Sequence, residues 1–381
     1  MKKICYVVTV PITIRAFFVP QLQYLAEHEF EVHVICSEDD GLQELLGEKI
    51  KYIPLNMPRG ISVWGTIKAI KELTRIFKRE KYDLVQYSTP NAALYAAIAS
   101  KIVKCEIRNY HCMGFRYLGF HGVTKFIFKF IEKIICKIST DIECVSQSNL
   151  ELGIAEKLFD GQKATVVFHG STGGVDLNKF DIKYKKKWKK EVRSNYSIED
   201  KEFVFGFIGR ITRDKGINEL FEAFFSMRNQ FKLLLVGEIE ENHNLDLNLL
   251  EKSKENPNVI WVGKSEVVEK YYAAIDVLVL PSYREGFGNA IIEAEAMGIP
   301  VIVSNIPGPQ DTMVENETGY LVEAKNILDL KAKMRKIADV EICKEFSQNA
   351  YSFAKHNFDS VLLNEYILKR KELLVNKRDG S

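Results

Sequence analysis

Two glutamates, Glu285 and Glu293, stand eight positions apart in the segment 282–298, with Gly286 and Gly288 between them. Apolar runs of strand length precede and follow this segment, at 277–281 and 299–303. The pattern predicts a strand, a glycine-containing loop, a helix and a second strand. Glu285 would lie before the helix and Glu293 within it. The bare backbone N–H groups of such a loop, together with the helix start, favour an anion.

A diphosphate could lie at this loop, and each carboxylate could then bind hydroxyl groups on one side of it. A nucleotide sugar has this arrangement, because its diphosphate joins a hexose to a ribose. The same pattern also fits an ordinary strand–loop–helix unit whose two glutamates are only solvated.

A second glycine-containing stretch, 209–216, follows the apolar run 203–208 and carries Arg210 and Lys215. An arginine fork and a lysine point charge at the carboxyl end of a strand could together neutralise a diphosphate. A metal would then be unnecessary, and the chain has no convincing Asp-x-Asp metal motif, so we expect no metal and no other cofactor. The alternative is a pair of solvated loop cations.

Together these motifs resemble those of the retaining glycosyltransferases of family four, which have the GT-B fold. The resemblance covers nearly the whole chain and includes the segments 234–237, 306–311 and 317–322. It implies that Arg210 and Lys215 hold the donor diphosphate, that Glu293 binds the ribose, and that Glu285 lies beside the transferred sugar. It also implies donor contacts from loop residues, namely Gly209, Gly237, Gly286, Phe287, Gly288 and Asn289.

The first half of the chain resembles one branch of that family in the segments 57–62, 83–91, 110–114 and 170–176. Members of this branch extend polyprenyl-diphosphate-linked sugars in capsule and O-antigen synthesis. The resemblance implies a UDP-sugar donor, an N-acetylated or deoxy hexosamine as the sugar, and a lipid-linked saccharide as acceptor.

Two positions depart from the family pattern. Many relatives have a glycine pair in the first strand–helix loop, whereas the loop 10–15 has none here, so Thr13 or Arg15 would have to replace that contact. Relatives often have asparagine where this chain has Gly173.

The resemblance implies retention of the anomeric configuration, with the acceptor attacking from the leaving-group side. No residue pair marks a double-displacement nucleophile with its acid–base partner, so we assign no general base. His111 follows an apolar run and is implied to lie beside the donor sugar and the acceptor, although it could be structural. The predicted catalytic residues are His111, Arg210, Lys215 and Glu285. Other strand-end residues are candidates for acceptor or donor contact, with structural roles as the alternative: Tyr87, Thr89, Asn91, His169 and Ser171.

Apolar runs of strand length alternate with amphipathic stretches in two successive series. This pattern predicts an α/β chain with two Rossmann-like, doubly wound domains that face a cleft. We expect an acceptor-side domain at 1–180, a donor-nucleotide-binding domain at 181–357, and a C-terminal helix at 358–381 that packs back on the first domain. The basic run 183–190 favours a solvated linker and helix start, with contact to acidic lipid as the alternative.

Composition agrees with a cytoplasmic two-domain protein. The chain has 381 residues, 46% hydrophobic residues and a formal net charge of +2, which gives no indication of nucleic acid as a partner. Its seven cysteines are scattered and form no CxxC pair, so we expect reduced thiols. The N-terminal apolar run is interpreted as a first core strand, because a signal peptide would need a longer apolar core. No run is long enough for a membrane span.

A lysine recurs at every fourth position from 125 to 137, between mostly apolar residues. The segment 117–138 therefore predicts a helix (123–138) that lies on an anionic membrane, with Tyr117, Leu118 and Phe120 as further exposed apolar residues. The alternative is a buried helix whose lysines face water. Lysines and arginines between 68 and 81 could extend the basic surface. We expect peripheral association with the inner face of the plasma membrane.

Two other functions share parts of this pattern. A non-hydrolysing UDP-GlcNAc 2-epimerase has the same two-domain architecture but lacks the spaced glutamates. A non-catalytic nucleotide-sugar binder would conserve the anion site without transferring sugar.

Overall fold

The computed structural model describes residues 1–58, 60, 62–227, 230–240 and 245–376. Two positions of the motif segment 57–62, and residues 377–381 of the predicted C-terminal helix, lie outside the described residues. The chain divides into two compact units, Met1–Gly173 with Val361–Ser381, and Gly174–Ser360.

The first unit is built on a seven-stranded sheet in the order β3-β2-β1-β4-β5-β6-β7, and all of its neighbouring strands pair in parallel. Its strands are β1 (Lys2–Val7), β2 (Phe30–Cys36), β3 (Ile50–Pro54), β4 (Leu84–Tyr87), β5 (Ile107–Cys112), β6 (Asp141–Cys144) and β7 (Ala164–Val166). Its helices are α1 (Pro11–Phe17), α2 (Val19–Glu27), α3 (Leu42–Leu46), α4 (Val63–Glu80), α5 (Pro90–Ile102), α6 (Gly122–Ile138) and α7 (Gln147–Ala155).

The second unit has a six-stranded sheet in the order β10-β9-β8-β11-β12-β13, again with parallel neighbours. Its strands are β8 (Phe203–Ile208), β9 (Phe231–Val236), β10 (Val259–Gly263), β11 (Val277–Leu280), β12 (Val301–Ser304) and β13 (Gly319–Val322). Its helices are α8 (Lys185–Asn195), α9 (Ile217–Phe225), α10 (Leu247–Glu255), α11 (Val268–Ala274), α12 (Asn289–Ala296), α13 (Ile327–Ile337) and α14 (Val340–Asn357). The predicted α/β class, with two doubly wound units, is confirmed.

The central strands are buried along most of their length because helices cover both faces of each sheet. All four residues of β4 and all four of β11 are buried. In the first unit two apolar clusters lie against the sheet, one including Val7 and Val85 and the other including Ile4 and Val34.

The last helix, α15 (Ser360–Asn376), belongs to the first unit from Val361 onward. Its residues Leu363, Ile367 and Leu374 are buried in the same cluster as Ile4. The divisions between the units fall at Gly173 and Ser360, whereas the sequence placed the domain boundaries at 180 and 357.

The basic run 183–190 contains the predicted helix start, since α8 begins at Lys185, but it is not a linker. Most of it lies in α8, which packs against α11 in the second unit. The Nζ of Lys185 donates to the carbonyl of Gly298 at 2.8 Å, and the Nζ of Lys189 lies 2.8 Å from Asp276. The sequence misleads here because long aliphatic stems can pack against a neighbouring helix while their charged ends reach polar partners.

The segment 10–15 is also different from its prediction as a loop. Helix α1 begins at Pro11, close after β1, and includes both Thr13 and Arg15. Proline is well suited to the first helical position because its fixed φ is helical and its missing N–H has no intrahelical partner there.

The described residues contain no helix that is both long and apolar enough to span a bilayer. The seven cysteines are unpaired thiols, and six of them are buried.

Candidate functional site

Two loops of the second unit leave its sheet at the same edge. Gly209 and Arg210 follow β8, and the loop that contains Glu285 follows β11. Since β8 and β11 are parallel neighbours, their carboxyl ends lie side by side, where ligands of such sheets bind. The two motifs that the sequence singled out are therefore adjacent in this unit.

Lys215 and Glu285 form an ion pair between the two loops. The Nζ of Lys215 donates to Oε1 of Glu285 at 2.5 Å, and the hydroxyl of Ser282 donates to the same oxygen at 2.9 Å. Both charged side chains are mostly buried, with 16% and 12% exposure. Lys215 lies in the 3₁₀ helix Arg213–Lys215, directly before α9. The pair places one cation and one carboxylate at the same point of the sheet edge.

Arg210 has a carboxylate partner as well. Its Nη1 donates to both oxygens of Glu240, at 2.9 and 3.0 Å. The arginine side chain is 58% exposed, so this pair contributes little stability and an anionic ligand can replace Glu240 readily.

A further ion pair ties the two loops together. Arg284 lies 3.0 Å from Asp214, and the backbone N–H of Tyr283 donates to the carbonyl of Asp214 at 2.8 Å. Burial opposes ionisation of Asp214, but the hydrogen bond from Thr212 and the charge of Arg284 lower its pKa overall. Sequence reasoning did not find Thr212, Asp214, Ser282 or Arg284, because nothing in their spacing distinguishes them from ordinary loop residues.

Two glycines allow the backbone to adopt this arrangement. A Cβ on Gly237 would lie 1.8 Å from the carbonyl oxygen of Gly209, so the loops after β8 and β9 approach as closely as bare backbone allows. Gly288 has φ +105° and caps the start of α12. Because no side chain caps this helix, the first N–H groups of α12, at Asn289 and Ala290, point outward from its positive end. The predicted anion-binding loop therefore has the required local geometry.

Phe287 has a packing role that the motif did not reveal. Its side chain is buried, and its ring lies 5.6 Å from that of Phe358 in an edge-to-face contact. This contact anchors the loop between Gly286 and Gly288.

Glu293 lies in the second turn of α12. Its Oε2 accepts a hydrogen bond from the hydroxyl of Tyr272 at 3.0 Å. Burial raises the pKa of Glu293 to about 7, although the Tyr272 hydrogen bond and the charge of Lys179 act in the opposite direction. The carboxyl group is therefore divided between its protonated and ionised forms near neutral pH.

In the first unit, His111 stands near the end of β5 and is buried. Its Nε2 shares a hydrogen bond of 3.1 Å with the hydroxyl of Thr172, and its ring packs edge-to-face on Phe18. Burial lowers the pKa of His111 to about 4, against the attraction of Glu143 and together with the repulsion of Lys371. The imidazole is therefore neutral at pH 7, so it can bind or orient a neutral group but carries no charge there.

A buried carboxylate lies behind this histidine. Glu143 Oε2 is 4.0 Å from His111 Nδ1, and both Glu143 oxygens accept hydrogen bonds from Lys371 of α15 at 2.7 and 2.9 Å. Lys371 also donates to Gln86 at 2.6 Å. A glutamate inside the apolar strand run 141–146 was a signal that sequence reasoning passed over. Nothing in the sequence indicated Lys371 as its partner.

Thr89 lies two residues after β4 and Ser171 five residues after β7, and both have a positive φ, +63° and +72°. The Oγ1 of Thr89 accepts from the N–H of Thr9 at 3.1 Å, and the two hydroxyls are 2.9 Å apart. The N–H of Ser171 donates to the carbonyl of Val145 at 2.7 Å. Both residues are therefore hydrogen-bonded within the protein, Thr89 to Thr9, which the sequence did not suggest, and Ser171 to Val145.

The remaining candidates for donor or acceptor contact differ in their burial and hydrogen-bond partners. Thr13 is buried in α1, and Arg15 pairs with Asp39. Asn91 donates to the carbonyl of Gly60 at 2.8 Å, and His169 is exposed.

Tyr87 is a core residue, which favours the structural role that the sequence left open as the alternative. Its side chain is fully buried, and its hydroxyl is 2.7 Å from that of Ser139. Side chains alternate between the faces of a strand, so a position at a strand end can point under a helix as easily as toward the sheet edge.

Comparison with known proteins identifies the family. Residues 189–353 match the family described as Glycosyl transferases group 1, and residues 3–146 match Glycosyl transferase 4-like. The capsular polysaccharide biosynthesis glycosyltransferase CapM of Staphylococcus aureus is 31% identical over 100% of this chain and 99% of its own length. The chain belongs to the group 1 glycosyltransferases, and it is an enzyme of that class.

Two further relatives have more specific names. The UDP-Gal:alpha-D-GlcNAc-diphosphoundecaprenol alpha-1,3-galactosyltransferase of Escherichia coli is 27% identical over 98% of this chain and 97% of its own. The N,N'-diacetylbacillosaminyl-diphospho-undecaprenol alpha-1,3-N-acetylgalactosaminyltransferase of Campylobacter jejuni is 25% identical over 94% of this chain and 96% of its own.

Solved structures show the same fold at low identity. Anabaena HepE, determined with UDP and glucose, superimposes with a TM-score of 0.77 at 19% identity, over 98% of this chain and 100% of that one. Sucrose-phosphate synthase of Thermosynechococcus elongatus gives a TM-score of 0.81 at 19% identity, over 99% and 100% of the two chains. The fold is GT-B, as the sequence predicted.

Proposed function

We propose that this glycosyltransferase moves a sugar from a UDP-sugar to a polyprenyl-diphosphate-linked saccharide during bacterial surface polysaccharide synthesis. The observation that carries the proposal is the Lys215–Glu285 pair, whose glutamate lies in the loop that leads to α12, a helix whose start has no side-chain cap. Three relatives support it, since one is named for capsular polysaccharide biosynthesis and two for diphosphoundecaprenol-linked substrates.

In this proposal the donor diphosphate lies between the loops that follow β8 and β11. Lys215 moves its charge from Glu285 to the diphosphate, Arg210 leaves Glu240, and the N–H groups at the start of α12 bind further oxygens. Glu293 accepts hydrogen bonds from the ribose hydroxyls. Once released from Lys215, the carboxylate of Glu285 is available for the hydroxyls of the transferred sugar.

Transfer proceeds with retention of the anomeric configuration. Negative charge grows on the UDP leaving group as the bond to the sugar breaks, and Lys215 and Arg210 stabilise that charge more strongly in the transition state than in the bound donor. Their two charges serve the role of a metal, so the reaction needs none. The acceptor hydroxyl attacks from the side of the departing diphosphate, and a phosphate oxygen takes its proton.

His111 belongs to this proposal as a neutral group. With a pKa of about 4 it does not act as a cation at neutral pH, and it holds a hydroxyl of the donor sugar or acceptor by a hydrogen bond. The transferred sugar in this proposal is an N-acetylated or deoxy hexosamine.

The enzyme works at the cytoplasmic face of the plasma membrane in this proposal, because its acceptor is held there by a lipid. Helix α6 makes the contact through its first half, where Val123, Phe126 and Phe130 are exposed beside Lys125. The second half of α6 is not part of this surface, since Glu132, Ile135 and Cys136 are buried. One detail of the predicted surface is wrong, because Tyr117 is buried. Leu118 and Phe120 are only partly exposed, and Lys129 pairs with Glu156 while its side chain stays 36% exposed.

The test is a panel of nucleotide sugars incubated with a polyprenyl-diphosphate-linked saccharide in EDTA, followed by mass spectrometry. We expect one UDP-sugar to yield an acceptor enlarged by one hexosamine, and nuclear magnetic resonance to show an α-linkage from an α-donor. Conversion of the UDP-sugar to an epimer without any acceptor would contradict transfer. A strict requirement for added Mg²⁺ would contradict the proposal that the reaction needs no metal ion.

A further inference from the structure

A narrow apolar groove lies among α4, α5 and α6 of the first unit. It has a volume of about 240 Å³ and is lined mainly by Val63, Ile67, Leu94, Phe128 and Ile131. Pockets that enclose a whole small ligand usually measure about 300–1,000 Å³. A groove of this size therefore suits a segment of a longer molecule.

The polar side chains along the groove are already bonded to the protein. The hydroxyl of Thr66 is 3.3 Å from that of Tyr95, and the amide of Asn91 donates to Tyr95 at 3.0 Å. The hydroxyl of Ser62 accepts from the N–H of Gly65 at 3.2 Å. An occupant without polar groups leaves all of these bonds intact, whereas a sugar would have to compete with them.

The α4 side of the groove is apolar and open to solvent. Its lining residues Val63 and Ile67 are 69% and 52% exposed, and Trp64 of the same helix is 82% exposed. Clusters of large exposed apolar side chains mark interaction sites rather than ordinary surface.

A cation stands beside the apolar lining. The guanidinium of Arg116 lies 4.7 Å from the ring centre of Phe128 and donates to Oδ1 of Asn91 at 3.2 Å. Exposed lysines, Lys68 and Lys125, lie on the two helices that border the groove. Apolar lining with positive charge at its margin is complementary to an apolar chain that ends in a phosphate group.

We infer that this groove binds the isoprenoid chain of the acceptor, at the segment that adjoins its diphosphate. The inference rests on the proposed function, and it adds that the protein, and not only the bilayer, binds the lipid tail. A branched, flat-sided hydrocarbon chain fits the narrow apolar lining, and Arg116 meets the diphosphate where the chain ends. The enzyme then selects isoprenoid-linked saccharides even in solution without membranes.

The test compares two acceptors that carry the same saccharide diphosphate, one on a farnesyl chain and one on an ethyl group. Both are used below their micelle concentrations and without vesicles, so that a bilayer cannot contribute. We expect a KM at least about 10-fold lower for the farnesyl acceptor, with similar kcat, because burial of each added apolar segment strengthens binding.

Two matched double variants localise the effect. V63Q/I67Q makes the groove lining polar, and V123Q/I127Q makes the same two changes, at the same spacing, on exposed positions of α6 outside that lining. The first should reduce the farnesyl preference to about 2-fold or less and leave the ethyl acceptor unchanged. The second should keep the preference.

A direct binding measurement tests the groove independently of the proposed function. Fluorescence titration with a dansyl-labelled farnesyl diphosphate needs no turnover, and V63Q/I67Q should weaken its Kd by about 10-fold. If neither acceptor is glycosylated, the proposed function fails, and the titration still decides whether the groove binds an isoprenoid chain. Equal KM values for the two acceptors with the parent enzyme would overturn the inference, as would equal losses in both double variants.

Discussion

Lys371 of the last helix donates both to Glu143 of β6, at 2.7 Å, and to Gln86 of β4, at 2.6 Å. The side chains of Lys371 and Glu143 are only 1% and 4% exposed. Burial raises the pKa of Glu143, but Lys371 and His111 overcome it and lower the pKa to about 2. The return of the chain to its first unit thus depends on a buried charge pair as well as on apolar packing.

Replacement of Lys371 by methionine should destabilise the first unit by about 3–5 kcal/mol, because it leaves a buried carboxylate without its main partner. The double variant K371M/E143Q should be more stable than K371M, since neither charge remains. Urea unfolding followed by circular dichroism measures both. Additive losses from the two single variants would show that the pair is not coupled.

The same pair makes the stability of the folded protein depend on pH in a definite direction. The folded-state pKa of Glu143 lies below its ordinary value of 4.5, so its contribution to stability is present above pH 4.5. That contribution disappears as the pH falls from about 4.5 toward 2. The parent protein should therefore lose more stability over this range than K371M/E143Q.

The architecture and the second-unit loops could be predicted from the sequence because they depend on local patterns. Alternating apolar runs fix the sheets, and the glycines around Glu285 fix a loop before a helix. Strand order then brings Lys215 to Glu285. These relations need only the connectivity of a doubly wound sheet.

The rest depends on contacts between distant parts of the chain. Lys371 meets Glu143 across 228 positions, and no local pattern marks that pairing. The basic run in α8 has the composition of a solvated linker, but Asp276, which lies between α11 and β11, supplies a partner for Lys189. Tyr87 shows the same difficulty at smaller scale, since its side chain points into the core from a strand end.

The Lys215–Glu285 pair predicts opposite effects on binding and transfer. Glu285→Gln removes the carboxylate that holds Lys215, so affinity for UDP should stay the same or rise. Transfer should fall by about 100-fold or more, because an oriented group beside the sugar is lost. Lys215→Ala should weaken UDP binding and transfer together. Calorimetry with UDP and a steady-state assay measure the two quantities.

Glu240→Gln is the matched control for this pair, since it frees Arg210 in the same way at a more exposed position. We expect only a small change in both measurements. A loss of UDP affinity in Glu285→Gln would contradict the proposed exchange of Lys215 from carboxylate to diphosphate.

Glu293 predicts how donor binding depends on pH. Burial raises its pKa to about 7, and the ionised carboxylate is the form that accepts two hydrogen bonds from a ribose diol. UDP affinity should therefore increase from pH 6 to pH 8 by up to about 10-fold, with a midpoint near 7. Glu293→Gln should remove most of this dependence.

A ligand without one ribose hydroxyl provides the control. The affinity for 2'-deoxy-UDP should vary less with pH than that for UDP in the parent protein. An unchanged pH profile in Glu293→Gln would assign the titration to another group.

The exposed first half of α6 predicts membrane binding by apolar insertion and charge together. Phe126 and Phe130 are 73% and 59% exposed, and full burial of one such side chain contributes about 1.5–3 kcal/mol. F126S/F130S should therefore reduce flotation with anionic vesicles by at least about 10-fold.

The control variant L247S/L328S, which removes two exposed leucines from the second unit, should float like the parent. Binding should also weaken with added salt and with zwitterionic vesicles, because Lys125 is exposed in the same half of the helix. Equal flotation of the two double variants would place the membrane contact on another surface.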